Sequence, residues 1–333
     1  MNPTKILVIF ASLIYFKASC QPITELPSDT INEIAFASDT QAPMLVETIL
    51  HKANHNRTAT KMIFNDINEL HPKSLFLLGD VVNLGYSNRQ WRPMDANLLK
   101  LRNNGIMVNA ALGNHEVLGQ PGKGQRKFQK RFPNHVRTGY VEIVDSIAVI
   151  LLNSNFNTLT SKENDDQVVW YKKTLEQLDT DSSVLFIITG CHHSPFTDSK
   201  IVKPSTEVEQ KFVLPFLSSR KSRLFLSGHC HGFEHYQVSG KDFFVIGGGG
   251  GLHQPLKETD KEMPDLALNY KPMFHYLTVK RIMDHLEVTS HELKKDFSGF
   301  NKGLTLEIIK NTYSSGIDVA KTQTQAADKK EKR

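Results

Sequence analysis

Cysteine is scarce: the 333 residues hold three, Cys20, Cys191 and Cys230. A fold built on a disulfide framework is excluded by that count, so stability has to come from a core. No apolar run approaches the ~20 residues that a membrane-spanning helix needs. Lys and Arg are not gathered into one stripe, although the net charge is +5 and the pI about 8.9, and nucleic acid is therefore not expected as a partner. Internal repeats are lacking too, which rules out a solenoid. What remains is ordinary globular composition, 39% hydrophobic and 23% charged, enough for one large α/β domain.

The first residues form a targeting segment. Lys5 supplies a positive charge, Ile6 to Phe16 is unbroken and apolar, and Ala18-Ser19-Cys20 offers small residues for cleavage. Residues 1–20 are read as a signal peptide, with Gln21 the expected mature terminus and a lipid anchor on Cys20 the alternative. The protein is thus expected to be secreted or periplasmic. At the other end, residues 311–333 are polar and biased to Lys, Gln and Ala, which reads as a disordered tail. The domain itself is placed at 21–300.

Short apolar runs that end in Gly, Asp or Asn recur along the chain: Ile34 to Ala37, Leu75 to Leu78, Ile106 to Leu112, Ala148 to Leu152, Val184 to Ile188 and Leu224 to Leu226. Such runs are buried strands. Helical periodicity separates them, with Ala59, Met62, Ile63, Ile67 and Leu70 on one face. Val168, Tyr171, Leu175 and Leu178 share another after a cap at Asp165 or Asp166. Strand and helix alternate as in a layered α/β domain, whose ligands bind outside the carboxyl ends of the strands. A run of five glycines, Gly247 to Gly251, follows the strand Phe243 to Ile246. Its backbone is free either to make a loose turn or to approach the site closely.

Polar residues gather at those strand ends: Asp39-Thr40-Gln41, Gly79-Asp80, Gly113-Asn114-His115-Glu116, His192-His193-Ser194-Pro195 and Gly228-His229-Cys230-His231. Carboxylate and amide oxygens with imidazole nitrogens suit Zn, Mn or Fe in a catalytic rather than a structural site. In this order the motifs resemble the signature series of the calcineurin-like metallophosphoesterases, in its purple-acid-phosphatase-like branch. The resemblance runs from about Ile31 to Ser290. It implies a four-layer α/β/β/α sandwich and a phosphoesterase that acts through water activated between two metal ions. Phosphomonoesters are the expected substrates, small phosphorylated molecules rather than polymers. Phosphodiester hydrolysis on the same core, or a non-catalytic binding role, are the alternatives.

Residue by residue, the resemblance implies that Asp39, Gln41, Asp80 and His231 hold one divalent ion and Asp80, Asn114, His193 and His229 the other. His115 is expected to stabilise charge on the phosphate or protonate the leaving group, and Glu116 to fix its loop. If His193 faces the metals, alternation turns His192 to the other side of the chain, in a supporting role or toward substrate. The same alternation turns Cys191 and Cys230 away, as small buried hydrophobes. Where the purple branch carries a tyrosinate ligand, this chain has Asn83, so the protein is expected to favour divalent metals.

Overall fold

The computed structural model describes residues 32–44, 55–257 and 262–310. The targeting segment, Cys20 and the polar tail lie outside them. Two six-stranded sheets form the frame. The first contains β1 (Ile34–Ala37), β2 (Ser74–Leu77), β3 (Met107–Ala110), β10 (His275–Ile282), β11 (His285–Leu293) and β12 (Phe300–Ile309), ordered β12-β11-β10-β1-β2-β3. In the second, β4 (Tyr140–Val144), β5 (Ile147–Leu151), β6 (Phe186–Gly190), β7 (Ser222–Ser227), β8 (Phe233–Val238) and β9 (Lys241–Ile246) are ordered β4-β5-β6-β7-β9-β8. Parallel pairing joins β1, β2 and β3 at one end of the first sheet and β5, β6, β7 and β9 in the middle of the second, while β1 meets β10 antiparallel.

Burial on both faces explains why the parallel strands are largely apolar. Ile34 and Phe36 of β1 face the second sheet, where they share a core with Val149, Leu151 and Ile188. Ala35 and Ala37 point the other way, onto Ile63, Phe64 and Ile67 of helix α1 (Asn56–Leu70) and Trp91, Met94 and Leu98 of α2 (Asn88–Asn103). Ile150 and Ile187 face outward onto Tyr171, Leu175 and Leu178 of the long helix Ser161–Thr180. Three apolar layers therefore separate four layers of structure, the α/β/β/α sandwich expected.

That long helix begins earlier than its apolar pattern indicates. Thr160 is the cap, accepting the Glu163 N–H at 3.2 Å while the Glu163 carboxylate accepts the Thr160 N–H at 2.8 Å. This reciprocal pair satisfies two end donors, and Asp165 and Asp166 sit inside the helix. Trp91 is fully buried, its Nε1–H donated to the Gly85 carbonyl at 2.7 Å, so it is a core residue. Among the described residues no helix is long and apolar enough to cross a membrane.

Candidate metal centre

The loops after β1, β2, β3, β6, β7 and β9 meet at one edge of the sandwich. Their backbones are tied to one another: Asp39 N–H donates to Gly79 O at 3.1 Å, Gln41 N–H to Asp80 O at 3.0 Å, and Gly228 N–H to His192 O at 2.9 Å. Asp39, Asp80 and His229 each hold a left-handed backbone, with φ of 58°, 48° and 67°. Non-glycine residues pay roughly 1–3 kcal/mol for that conformation, and they keep it here because neighbouring loops leave no alternative. Gly113 is one such neighbour. A Cβ there would fall on the Asp80 carboxylate.

Glu116, in the short helix Asn114–Val117, binds the loops together. Its buried carboxylate accepts the N–H groups of Asp80 at 2.9 Å, Val82 at 3.0 Å and Gly113 at 2.9 Å. Burial and the nearby Asp80 push its pKa up to about 7, against the three N–H donors that favour the anion. These three bonds tie the loops after β2 and β3 together.

The glycine run lines the centre. Gly249 N–H donates to Ser38 O and Gly251 N–H to Asp39 O, both at 2.9 Å. A Cβ on Gly251 would stand 2.5 Å from Cε1 of His231. Close approach, and not looseness, is the reason for glycine here.

Donor atoms converge from five of these loops. One atom each from Asp39, Asp80 and His192 lie within 4.8 Å of one another, and so do ring nitrogens of His192, His193 and His229. His192 Nδ1 must donate to the Leu78 carbonyl at 3.0 Å, which turns Nε2 toward Asn114 Oδ1 at 2.9 Å and Asp80 Oδ2 at 3.3 Å. His231 repeats the pattern, with Nδ1 on Leu252 O at 2.7 Å and Nε2 facing Asp39 Oδ1 at 3.3 Å. Gln41, with its amide oriented to suit its neighbours, donates to the carbonyls of Asp39 at 3.0 Å and Asp80 at 2.8 Å and turns its oxygen to the same His231 nitrogen.

This arrangement fits metal ions on three counts. Metal-binding histidines usually anchor their far nitrogen on a carbonyl or carboxylate, as His192 and His231 do. Asp39 Oδ1 is buried, and what it faces is the same inward nitrogen of His231, at 3.3 Å. The cluster also attracts positive charge. Burial opposes charge on His192, yet Asp80 outweighs it and pushes the imidazole up to about 9, while burial is again outweighed at Asp80, held low by His192 and His115. A proton or a metal cation meets that demand. His193 and His229 stay neutral, pushed down to about 3 by burial and by His192.

The paired histidines correct one expectation. Alternation does not carry past Gly190, where β6 ends, because His192 and His193 lie in a bend beyond it. His192 is not turned away: it is the member of the pair in contact with Asp80 and Asn114. His193 borders a cleft of about 900 Å³ that Asn114, Ser154, Asn155 and Arg137 also line. Its Nδ1 is 2.8 Å from Ser154 Oγ. Sequence reasoning passed over Ser154, although it follows the apolar run of β5 as the other site residues follow theirs.

His115 is placed by three contacts. Its N–H donates to Asp80 Oδ1 at 2.8 Å and its Nδ1 to the Asn83 carbonyl at 3.0 Å, which leaves Nε2 free at 3.8 Å from Asp80 Oδ2. Cys191 and Cys230 are buried free thiols in the outer core, their sulfurs donating to His193 O and Glu234 Oε1. Burial pushes both thiols well above their ordinary range, as suits inert packing groups. Glu234 is buried and taken up by Thr197 Oγ1 at 2.7 Å and Tyr236 OH at 2.5 Å, and His235 bonds Asp242 at 2.9 Å, so neither faces the cleft.

The fold recurs in solved structures of low sequence identity. A purple acid phosphatase from yellow lupin (Lupinus luteus) seeds superposes with a TM-score of 0.62 at 13% identity, over 87% of this chain and 57% of its own. The chain thus spans little more than half of the lupin protein's length. GAP50, the anchor in the inner membrane complex of Plasmodium, gives 0.65 at 13% over 89% and 94% of the two chains. A dimetal phosphatase from Danio rerio gives 0.55 at 12% over 84% and 99%. No curated protein matches the chain in sequence. The family model of calcineurin-like phosphoesterases matches residues 33–233, from just before β1 to just past the final histidine pair. With more than half of its length matched and every motif of the series in place, the chain belongs to the calcineurin-like phosphoesterase family.

Proposed function

We propose that this protein hydrolyses phosphomonoesters at a centre of two divalent ions, Fe, Mn or Zn. The observation that carries the reading is the convergence of Asp39, Asp80, Asn114, His192 and His231 on shared points, each histidine backed by a carbonyl. Asp39, Gln41, Asp80 and His231 are assigned to one ion. Asp80, Asn114, His192 and His229 are assigned to the other, with Asp80 common to both. Such ions, when bound, supply a hydroxide nucleophile near neutral pH and neutralise charge on the phosphoryl group. His115 Nε2 is the protein group free to donate to the phosphate or the leaving oxygen. A cleft of about 900 Å³ has the size of a small-molecule site, and its lining of amides and hydroxyls suits a small polar ester rather than a polymer. Export by the leader in residues 1–20, as a free or a lipid-anchored protein, belongs to the same proposal.

Turnover of an aryl phosphate beside a bis-aryl phosphate tests it. The monoester should be the faster substrate by a wide margin. Preference for the diester would make the protein a phosphodiesterase, and failure with both would favour a binding role.

A further inference from the structure

A second cavity, of about 880 Å³, opens beside the metal loops between the N-terminal halves of α1 and α2. We propose that it holds the non-reacting end of the substrate and that this end is itself a phosphate, so that the preferred esters are small bisphosphates. The proposal rests on the phosphoesterase reading for the bond that is cut. Where the far end lies follows from charge and position.

Three cations line the cavity, Arg57 and Lys61 of α1 and Arg89 of α2, and no carboxylate does. Among the described residues none of the three has an ion pair or a side-chain hydrogen bond. Carboxylates on the same helices are taken elsewhere: Asp95, the sole acid of α2, by Arg131 at 2.5 Å, and Asp66 of α1 by the Tyr276 hydroxyl at 2.6 Å. Arg57 and Arg89 each stand second in their helix, and neither helix has an acid in its first turn or a side-chain cap. A cation there works against the helix dipole, whereas an anion is favoured by the dipole and the cations together. Fold stability therefore gives no reason for this cluster, and a bound anion does. Three cations suit a dianion, and guanidinium groups match the oxygens of phosphate two at a time.

Position connects the cavity to the metal centre. Thr40, between Asp39 and Gln41, and Asn83, three residues past Asp80, are part of its wall. The Asn83 carbonyl holds the ring of His115 at 3.0 Å, so the imidazole assigned to the leaving oxygen hangs on a residue that lines the cavity. Val82, Pro93 and Met94 add apolar surface that suits a carbon body joining two phosphates. The cleft beside His193 offers no such field: Glu207 lines it, and Arg137 there is matched by Glu163 at 3.1 Å.

The test compares hexyl phosphate, carboxyhexyl phosphate and hexanediol bisphosphate on the full protein loaded with Mn²⁺, at low and at high salt. The bisphosphate should exceed hexyl phosphate in kcat/KM by about tenfold or more, beyond the factor of about two that its two ends supply. The carboxylate ester should fall between them, and salt should shrink the differences. Arg57→Gln, Lys61→Gln and Arg89→Gln combined should bring the three esters within about threefold of one another, with turnover of hexyl phosphate near parental. Because these cations oppose the helix dipoles, that variant should melt no lower than the parent. A control with Lys162→Gln, Lys172→Gln and Lys173→Gln, on the long helix Ser161–Thr180, should keep the preference. Equal kcat/KM for the bisphosphate and hexyl phosphate in the parent, or a preference that survives loss of the three cations, would overturn the inference. A carboxylate ester cut as fast as the bisphosphate would overturn the choice of phosphate. Should the protein cut no ester, calorimetric binding of the bisphosphate and of hexyl phosphate to the same variants decides. A binding preference lost with the three cations would uphold the cavity and sink the phosphoesterase reading alone, and no preference would sink the inference.

Discussion

At the scale of single residues, the assignment proposed around Asp80 separates groups that would hold metal from groups that would act on substrate. His115 touches Asp80 mainly through its backbone, and its ring is pinned to the Asn83 carbonyl, so replacing it should leave the metal in place. We expect His115→Ala to keep its bound ions while kcat drops by roughly two to three decades, as for a lost charge stabiliser or general acid. Elemental analysis beside steady-state kinetics decides this, and loss of metal would make His115 a ligand. Asn83 predicts a spectrum. It stands where a purple phosphatase has tyrosinate, and the nearby Tyr86 lies under Lys123, whose Nζ is 5.9 Å from the ring centre. Protein loaded with iron under air should therefore show no intense visible band. A strong band that disappears in Tyr86→Phe would contradict that. Most site residues were legible in sequence because each follows an apolar run directly. The order within His192-His193 was not, since the alternation argument presumes a strand and the strand ends at Gly190.

Elements were legible in proportion to how completely they are buried. The parallel strands β1, β2, β5, β6, β7 and β9 announce themselves as short apolar runs because helices cover one face and the other sheet covers the second. By contrast β11 and β12 are partly exposed, mix charge with apolar residues and gave no such signal, although β12 extends the domain to Ile309. Helix starts were missed where caps outrank periodicity, as at Thr160. The glycine run left two readings open in sequence, and packing against Ser38, Asp39 and His231 resolves them. Gly251→Ala should weaken metal binding by about tenfold or more without unfolding the protein, because the added methyl displaces His231 rather than the core. Metal titration and a thermal melt read the two effects separately. Unaltered metal affinity would mean that the loop yields.

For the molecule as a whole, stability and site chemistry can be separated by pH. Lys241 of β9 is buried far from the metal loops, with Nζ donating to the carbonyls of Phe216, at 2.8 Å, and Ser219. Burial, aided by Arg223, pushes its pKa down to about 7 from 10.5. Its folded value lies below the unfolded one, so between about 7 and 10.5 the unfolded chain binds more protons, and stability rises with pH across that window. Melting of metal-free protein should show this rise, and Lys241→Met should flatten it. An equal slope in both would place the cause elsewhere. The sandwich matters to function because it brings the carboxyl ends of parallel strands from two sheets to one edge, so that Asp39 and Asp80 of the first meet His192 and His229 of the second.

The claim that these residues form a two-ion hydrolytic centre is tested most directly by stripping the protein of metal and titrating it with Mn²⁺. Ions bound per chain and turnover of p-nitrophenyl phosphate are followed together, beside Asp80→Ala. Turnover should be absent without metal and should rise as the second ion binds, and Asp80→Ala should neither fill both sites nor turn over. Hydrolysis by the stripped protein, or near-parental activity in Asp80→Ala, would contradict the account.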